Sequence, residues 1–423
     1  MRQYTTMALR SLLVDFNSYF ASVEQELRKE LRGKPVAVVP VMAETTCCIA
    51  ASYEAKRFGI KTGTQVRQAR LLCPKLEIVQ ARPKTYVECH HQLVEAVESC
   101  LHIDEVLSID EMICDLPNNF RKEDRARGLA KHIKQTIARK VGQYLKSSIG
   151  IAPNRFLAKM ASNMQKPNGL ICLQEEDLPE ALYKLELRDI HGVGKRMEQR
   201  LREYGITTVY ELCHTSKDKL RQAWNGVEGE RIFRNLRGEE VYYPPTKHTT
   251  IGHSHVLPPE ERNRKLAFAV INRLTQKAAM RLRNMSYMAS AMHISIKHIN
   301  APSWRNDMQF LETQDTLEFI RILNLLWDRY PRTTLKPLAV GVTFFNLTAE
   351  NNYTPSFFSE TEVSKNRKTL HKAMDELNTK FGNNTIYFGG AYEALRSAPM
   401  RIAFNHIPDL KIEDDGREAK QRC

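Results

Sequence analysis

No run of 18 or more consecutive apolar residues occurs in the 423-residue chain, so no helix is expected to cross a bilayer. The N-terminal stretch carries Arg2 but no apolar core with a small-residue cleavage site, so no secretory leader is expected. Cysteine is sparse and irregular: nine residues, an odd number, never spaced Cys-x-x-Cys, with Cys47-Cys48 the only adjacent pair. That argues against a disulfide framework and a zinc site, and it fits a reducing cytosol. Acidic residues are outnumbered, 49 against 63 Lys and Arg, for a net charge of +14. Such an excess points to a polyanionic partner; a basic membrane-surface protein and a merely basic soluble one are the alternatives. At this length the chain should divide into several domains.

Two short acidic stretches organise the rest. Val14-Asp15-Phe16-Asn17-Ser18-Tyr19-Phe20 and Leu107-Ser108-Ile109-Asp110-Glu111-Met112 each set carboxylates in or beside β-favouring apolar residues. Taken singly, an Asp at a strand end is ordinarily a turn or cap residue, and an Asp-Glu pair a solvated edge. An ionised carboxylate in an apolar run is expensive unless a cation compensates it. If the two runs are neighbouring strands, Asp15, Asp110 and Glu111 converge at one sheet edge, with no evident Lys or Arg beside them. Such an oxygen-rich set suits Mg²⁺, and two ions about 3.5–4 Å apart would serve in-line phosphoryl transfer.

In chain order, residues 11–16 read as a buried strand and Tyr19 to Arg28 as a helix with Phe20, Val23 and Leu27 on one face. A small α/β segment follows: a β-rich run at Val36 to Val41, another at 47–53, and short helices at Tyr53–Phe58 and Gln65–Leu72. Tyr86 to Leu101 is expected to be helical, Ser108 to Cys114 a strand, 123–141 an amphipathic helix with a solvated basic face, and Ser147 to Ile151 a strand. Sheet and covering helices imply an α+β unit. Ile190-His191-Gly192-Val193-Gly194-Lys195, between a Leu185–Ile190 helix and a second apolar helix, reads as a helix-hairpin-helix. Its glycines permit a tight turn with backbone N–H groups facing outward. Gly192, Val193, Gly194 and Lys195 are therefore expected to hold a DNA phosphate without reading sequence. Val241-Tyr242-Tyr243-Pro244-Pro245 reads as a tether. Beyond it a β-α-β-β-α-β order is expected at 249–256, 262–284, 287–299, 306–312, 315–330 and 336–347. A basic set there (Arg262, Arg264, Lys265, Arg273, Lys277, Arg281, Arg283) could grip a duplex. Residues 363–381 form a further amphipathic helix with Leu370, Met374, Leu377 and Phe381 in one stripe, and 411–423 a charged, disordered tail.

Asp15 to Gln25 (Asp-Phe-Asn-Ser-Tyr-Phe-Ala-Ser-Val-Glu-Gln) resembles the first motif of the Y-family, or translesion, DNA polymerases, and Ser108-Ile109-Asp110-Glu111 their second acidic motif. Ala51 to Lys61 and Gly150 to Ser162, continuing to Lys166-Pro167-Asn168-Gly169, match two more, in the family's order and spacing. The branch is similar to the bacterial DinB and UmuC groups. The resemblance implies a multidomain α+β right hand: a ferredoxin-like palm (1–24 and 84–174), small fingers (25–83), and a helical helix-hairpin-helix thumb (175–240). A linker (241–248), a β-α-β-β-α-β little finger (249–350) and a C-terminal helix and tail (351–423) complete it.

The resemblance also implies roles. Asp15, Asp110 and Glu111 would be catalytic and, with the Phe16 carbonyl, would hold two Mg²⁺ ions, for which Mn²⁺ can substitute. Tyr53, Lys56 and Lys159 would hold the triphosphate, and Tyr19 and Phe20 would lie against the substrate, Phe20 as the steric gate against a ribose 2′-hydroxyl. The chain departs from the commoner pattern, which has Arg at Lys56 and a hydroxyl residue at Ala50; Lys is a point charge and not a bidentate fork. Primer-template DNA and dNTPs are the implied partners, with a sliding clamp and other SOS or lesion-bypass proteins beside them, no membrane, and a cytoplasmic, nucleoid-associated location. No glutamine-led clamp peptide stands out at the C-terminus. Two other readings stay open: an inactive DNA-binding or scaffold paralogue, and a two-metal nuclease carrying a helix-hairpin-helix.

Overall fold

Leu12-Leu13-Val14 make β1 (Ser11–Phe16), a strand buried on both faces that turns at once into helix α1 (Tyr19–Leu27). The computed structural model describes residues 9–244, 249–352, 362–382, 385–397, 402, 407, 408 and 410. The second half of the expected tether (245–248) and the tail 411–423 lie outside the described residues. After α1 comes a small unit of β2 (Val36–Val39), β3 (Ala50–Ala51), α2 (Tyr53–Lys56), α3 (Val66–Leu72) and β4 (Glu77–Gln80), with strand order β3-β2-β4. The sequence pattern did not announce β4, because its exposed Glu77 and Gln80 dilute the apolar signal.

Helix α4 (Pro83–Glu98), β5 (Glu105–Ser108), β6 (Glu111–Asp115), α5 (Glu123–Lys140), β7 (Ser147–Ala152), α6 (Arg155–Met164) and β8 (Leu170–Cys172) follow. The resulting sheet runs β5-β6-β1-β7-β8, with β1 antiparallel to both its neighbours. Residues 108–114, expected as one strand, instead straddle a hairpin: β5 and β6 pair through Ser108↔Glu111, and Ile109-Asp110 is the turn. Side-chain alternation divides the sheet between two cores. Leu12, Val14 and Phe16 pack with residues of α4 and α5, while Leu13 and Ile113 pack with α6 and the helices beyond it. On β7, Gly150 lies so close to the backbone of Ala158 and Ser162 in α6 that no Cβ fits. Gly150→Ala is expected to overpack this contact at a cost of about 1–3 kcal/mol, read as a lowered midpoint in urea unfolding.

Helices α7 (Lys195–Glu203), α8 (Val209–His214), α9 (Lys217–Trp224) and α10 (Val227–Asn235) form the next unit. The expected Leu185–Ile190 helix is only a 3₁₀ turn, Leu187–Asp189. The side-chain amide of Asn154, which caps α6, donates to the carbonyls of Asn235 (2.9 Å) and Glu239 (2.8 Å), locking this unit to the sheet.

The last body is β9 (Thr250–Val256), α11 (Arg264–Asn284), β10 (Tyr287–His298), β11 (Ala301–Thr313), α12 (Thr316–Asp328) and β12 (Pro337–Ala349), the expected β-α-β-β-α-β order. Its antiparallel sheet runs β11-β10-β12-β9. Helix α13 (Glu362–Phe381) and the segment up to Ser397 lie against α11. Arg273 is buried and donates to the carbonyls of Ala394 (2.7 Å) and Leu395, Arg283 forks onto Asp375 (2.6 and 2.9 Å), and Lys265 meets Glu393 (2.6 Å). Arg262 is buried on the Leu257 carbonyl, and Arg264 stacks on Trp327 and Tyr330. These five residues, expected as part of a duplex grip, therefore hold the protein to itself. Arg273, Arg283 and Lys265 find partners in the C-terminal segment, Arg264 in Trp327 and Tyr330, and Arg262 in the turn after β9.

Helix α13 turns its polar His371 and Asn378 inward and leaves Leu370, Leu377 and Phe381 exposed. Further on, Ile402, Ile407 and Leu410 pack against the first sheet's core. Among the described residues no helix is long and apolar enough to cross a membrane.

Candidate active site

The carboxylates meet because β1 and β6 pair in a register that sets Asp15 directly opposite Glu111. Asp110 joins them from the hairpin turn: its backbone carbonyl accepts from the Phe16 N–H (2.8 Å), and its Oδ1 accepts from the Ser108 hydroxyl (2.6 Å). Phe16 spends its ring in the core, so only its backbone remains at the site.

Asp15 is only 4% exposed. Burial pushes its carboxyl up to about 6, the Lys166 ammonium pulls against this, and the neighbouring Glu111 and Asp110 charges add to the rise. Burial likewise raises Asp110, with the Ser108 hydroxyl opposing and Glu111 adding. A cluster that resists ionisation in this way demands a cation.

Two lysines answer that demand, which corrects the expectation of no cation beside the carboxylates. Lys166 Nζ lies 2.6 Å from Asp15 Oδ2, and Lys159 Nζ contacts Glu111. Both come from α6 and the loop after it, far from the acidic motifs in sequence, so only the fold reveals that they pair with Glu111 and Asp15. Asn17 sets that loop in place: its Oδ1 accepts from the Asn168 N–H (2.7 Å) and from the Ser148 hydroxyl (3.2 Å). The sequence reading gave neither Lys166 nor Asn17 a role. The one signal for Lys166 was its place in the Lys-Pro-Asn-Gly motif.

Tyr53 and Lys56 stand on α2, capped by the Ser52 hydroxyl, which accepts from the Ala55 N–H. The Lys56 ammonium sits 4.3 Å from the centre of the Tyr53 ring. Burial lifts the Tyr53 phenol to about 12, Asp15 adding to the rise. Burial and then Lys166 lower Lys56, with Asp15 opposing. These groups thus share one field with the carboxylates. Ala50 contributes only a methyl group, buried in β3.

Tyr19 and Phe20 open α1 just past Asp15. The Tyr19 hydroxyl donates to the Tyr86 carbonyl (2.6 Å) and its ring is buried, so Tyr19 is a packing residue first. Phe20 is half-buried. In the hairpin before α7, Gly192 adopts φ +85°, the left-handed region open to glycine, and a Cβ at Gly192 or Gly194 would meet open space. Val193 buries its side chain, while Gly194 and Lys195 are exposed at the first turn of α7, whose N–H groups are unsatisfied within the helix. The hairpin is some way along the chain from the carboxylates, and it offers backbone donors where they offer acceptors.

Among the described residues no group of three or more His, Cys, Asp or Glu side chains is arranged to hold a metal ion as it stands, and lysines sit on Asp15 and Glu111. In chemistry, three carboxylates at one sheet edge, two of them with raised proton affinity, suit a hard divalent ion.

The impB/mucB/samB family matches residues 14–163, its C-terminal domain 248–357, and the IMS family HHH motif 175–206. The chain is 32% identical over 388 residues to the DNA polymerase IV of Moorella thermoacetica, covering 89% of this chain and 94% of that one. It is 30% identical over 408 residues to DNA polymerase IV 1 of Bacillus subtilis, covering 93% and 95%. A solved Y-family DNA polymerase chimera of Dbh and Dpo4 superposes with a TM-score of 0.67 at 22% identity, over 80% of this chain and 99% of that one. The insertion ternary complex of Dbh DNA polymerase superposes at 0.53, likewise at 22% identity.

Proposed function

Because this chain belongs to the impB/mucB/samB family of bacterial Y-family DNA polymerases, we propose that it extends a primer 3′ end with dNTPs on a DNA template, tolerating damaged bases. The observation that carries this is the register of Asp15 against Glu111 with Asp110 in the adjoining turn, which gathers three carboxylates at one sheet edge. Asp15, Asp110, Glu111 and the Phe16 carbonyl would hold two Mg²⁺ ions. When bound, these lower the pKa of the primer hydroxyl and neutralise charge on the triphosphate.

The chain's own cations do the rest. Lys166, Lys159, Lys56 and the Tyr53 hydroxyl converge near the carboxylates and would grip the triphosphate through charge-assisted hydrogen bonds. In the free protein Lys166 and Lys159 hold Asp15 and Glu111, so they serve as stand-in counter-ions until substrate arrives. Phe20, at the entrance to α1, would exclude a ribose 2′-hydroxyl. Backbone donors at Gly194 and Lys195 would hold a DNA phosphate irrespective of sequence. A sliding clamp and other lesion-bypass proteins belong to the same proposal on family likeness alone, as does work at the nucleoid.

Primer extension past an abasic template site with Mg²⁺ tests the reading. Extension supports it, whereas degradation of DNA without nucleotides would favour a nuclease. Lys56→Arg should lower KM for the dNTP several-fold, because a guanidinium can meet a phosphate with two parallel bonds; steady-state kinetics at fixed DNA would read this.

A further inference from the structure

Two helices meet beside the entrance of the site through a ladder of unlike rungs. On α1, Phe20 and Glu24 lie one turn apart; on α4, Arg82 and Tyr86 do the same, Arg82 as the residue capping its start. The first rung is aromatic: the Phe20 and Tyr86 rings stack with centroids 4.5 Å apart and planes 14° from parallel. The second is ionic: Glu24 is fully buried, and its two oxygens receive Arg82 Nε (3.0 Å) and Nη2 (2.8 Å). A diagonal joins them, since the Tyr86 hydroxyl donates to Glu24 Oε1 (2.8 Å). Tyr86 is 1% exposed, and its backbone carbonyl is also held by the Tyr19 hydroxyl.

Every atom of Tyr86 is thus committed: ring to Phe20, hydroxyl to Glu24, carbonyl to Tyr19. Phe20 has no comparable anchor of its own, because a phenyl ring makes no hydrogen bond and this one is only half-buried. Its angle is set by the ring beneath it. A planar gate excludes an extra hydroxyl only if it cannot tilt, and a displacement of about 1 Å at such a position is enough to change selectivity. Phe20 does pack against the sheet's apolar core, but core packing alone would not explain a fully buried Glu24 behind the ring, held in a fork by the part-buried Arg82 and approached by Arg28 (3.4 Å). A carboxylate buried as fully as Glu24 is costly unless cations compensate it.

We propose that Tyr86, Glu24 and Arg82 are positioning residues that hold the Phe20 ring at the angle needed to discriminate deoxyribose from ribose. The proposal rests on the reading of Phe20 as the sugar gate. Selectivity would then be controlled from α4, by groups that never touch the nucleotide.

The test is kcat/KM for a dNTP and the matching rNTP, measured on the parent, Phe20→Ala, Tyr86→Leu, Tyr86→Phe and Arg82→Lys. Phe20→Ala should lose discrimination most. Tyr86→Leu should lower the deoxy-to-ribo ratio roughly 2- to 12-fold, the strength of one aromatic pair. Tyr86→Phe, which keeps the stack, should recover most of that loss. Arg82→Lys, which leaves Glu24 a point charge in place of a fork, should lower the ratio less than Tyr86→Leu. It also supplies the answer should Tyr86→Leu fail to fold, as judged by thermal melting. A ratio equal to the parent's in the folded α4 variants, or equal losses for both sugars, overturns the proposal while leaving the gate intact. An unchanged ratio in Phe20→Ala overturns the gate, and the brace with it.

Discussion

Asp110→Ala should reduce single-nucleotide addition on the order of 10³-fold or more, a loss of several kcal/mol of charge stabilisation in the transition state. The substitution is a clean one. The contact that stitches Asp110 to β1 is made by its backbone carbonyl with the Phe16 N–H, and alanine keeps it. The side chain's one hydrogen bond is accepted from Ser108, itself a turn neighbour. Removing the carboxylate also relieves Asp15 and Glu111 of a like charge, so stability should hold or rise slightly. DNA affinity, read by fluorescence anisotropy, should therefore stay within about twofold of the parent, since phosphate contacts dominate that affinity. Undiminished extension by this variant would remove Asp110 from the chemistry.

Lys166→Ala should raise KM for the incoming dNTP and lower kcat/KM roughly 10- to 150-fold, the worth of one hydrogen bond to a charged group, about 1.5–3 kcal/mol. Lys166 is the cation that the fold sets against the most buried of the three carboxylates, at 2.6 Å from Asp15. Its loop is pinned by Asn17 through the Asn168 N–H, so the ammonium arrives at a fixed place and loses little freedom on meeting a phosphate. Deleting it also leaves a buried carboxylate without its partner, a penalty of the same sign for the free protein. Lys166→Arg should recover part of the loss. A dNTP KM equal to the parent's in Lys166→Ala, with the protein folded, would assign Lys166 to structure alone.

What could be read in advance follows from what periodicity and composition encode. A continuous apolar run named β1, the succession of apolar segments named the β-α-β-β-α-β body, and apolar context made Asp15, Asp110 and Glu111 conspicuous. The turn at Ile109-Asp110 was hidden because Ile109 is itself buried, so an apolar run continues straight through a reversal of the chain. Lys159 and Lys166 lie within the family-like stretches Gly150–Ser162 and Lys166–Gly169, yet their pairing with Glu111 and Asp15 depends on how α6 crosses the sheet, which no local pattern carries. Helix α13 shows the opposite error. Its apolar stripe was legible, but the face it buries is the polar one, because Arg283 and the Ile386 carbonyl and N–H offer partners to Asp375 and Asn378.

The return of the chain to its own beginning has a mechanical result. Ser397 is bonded to Glu261 at the back of the last body, and five residues later Ile402 is seated on the first sheet's core. Fully extended, such a span reaches about 18 Å. While Ile402, Ile407 and Leu410 stay seated, Ser397 and the Glu261 it bonds are held within that reach of the first sheet. Any larger separation must first peel three aliphatic side chains away from the first sheet's core.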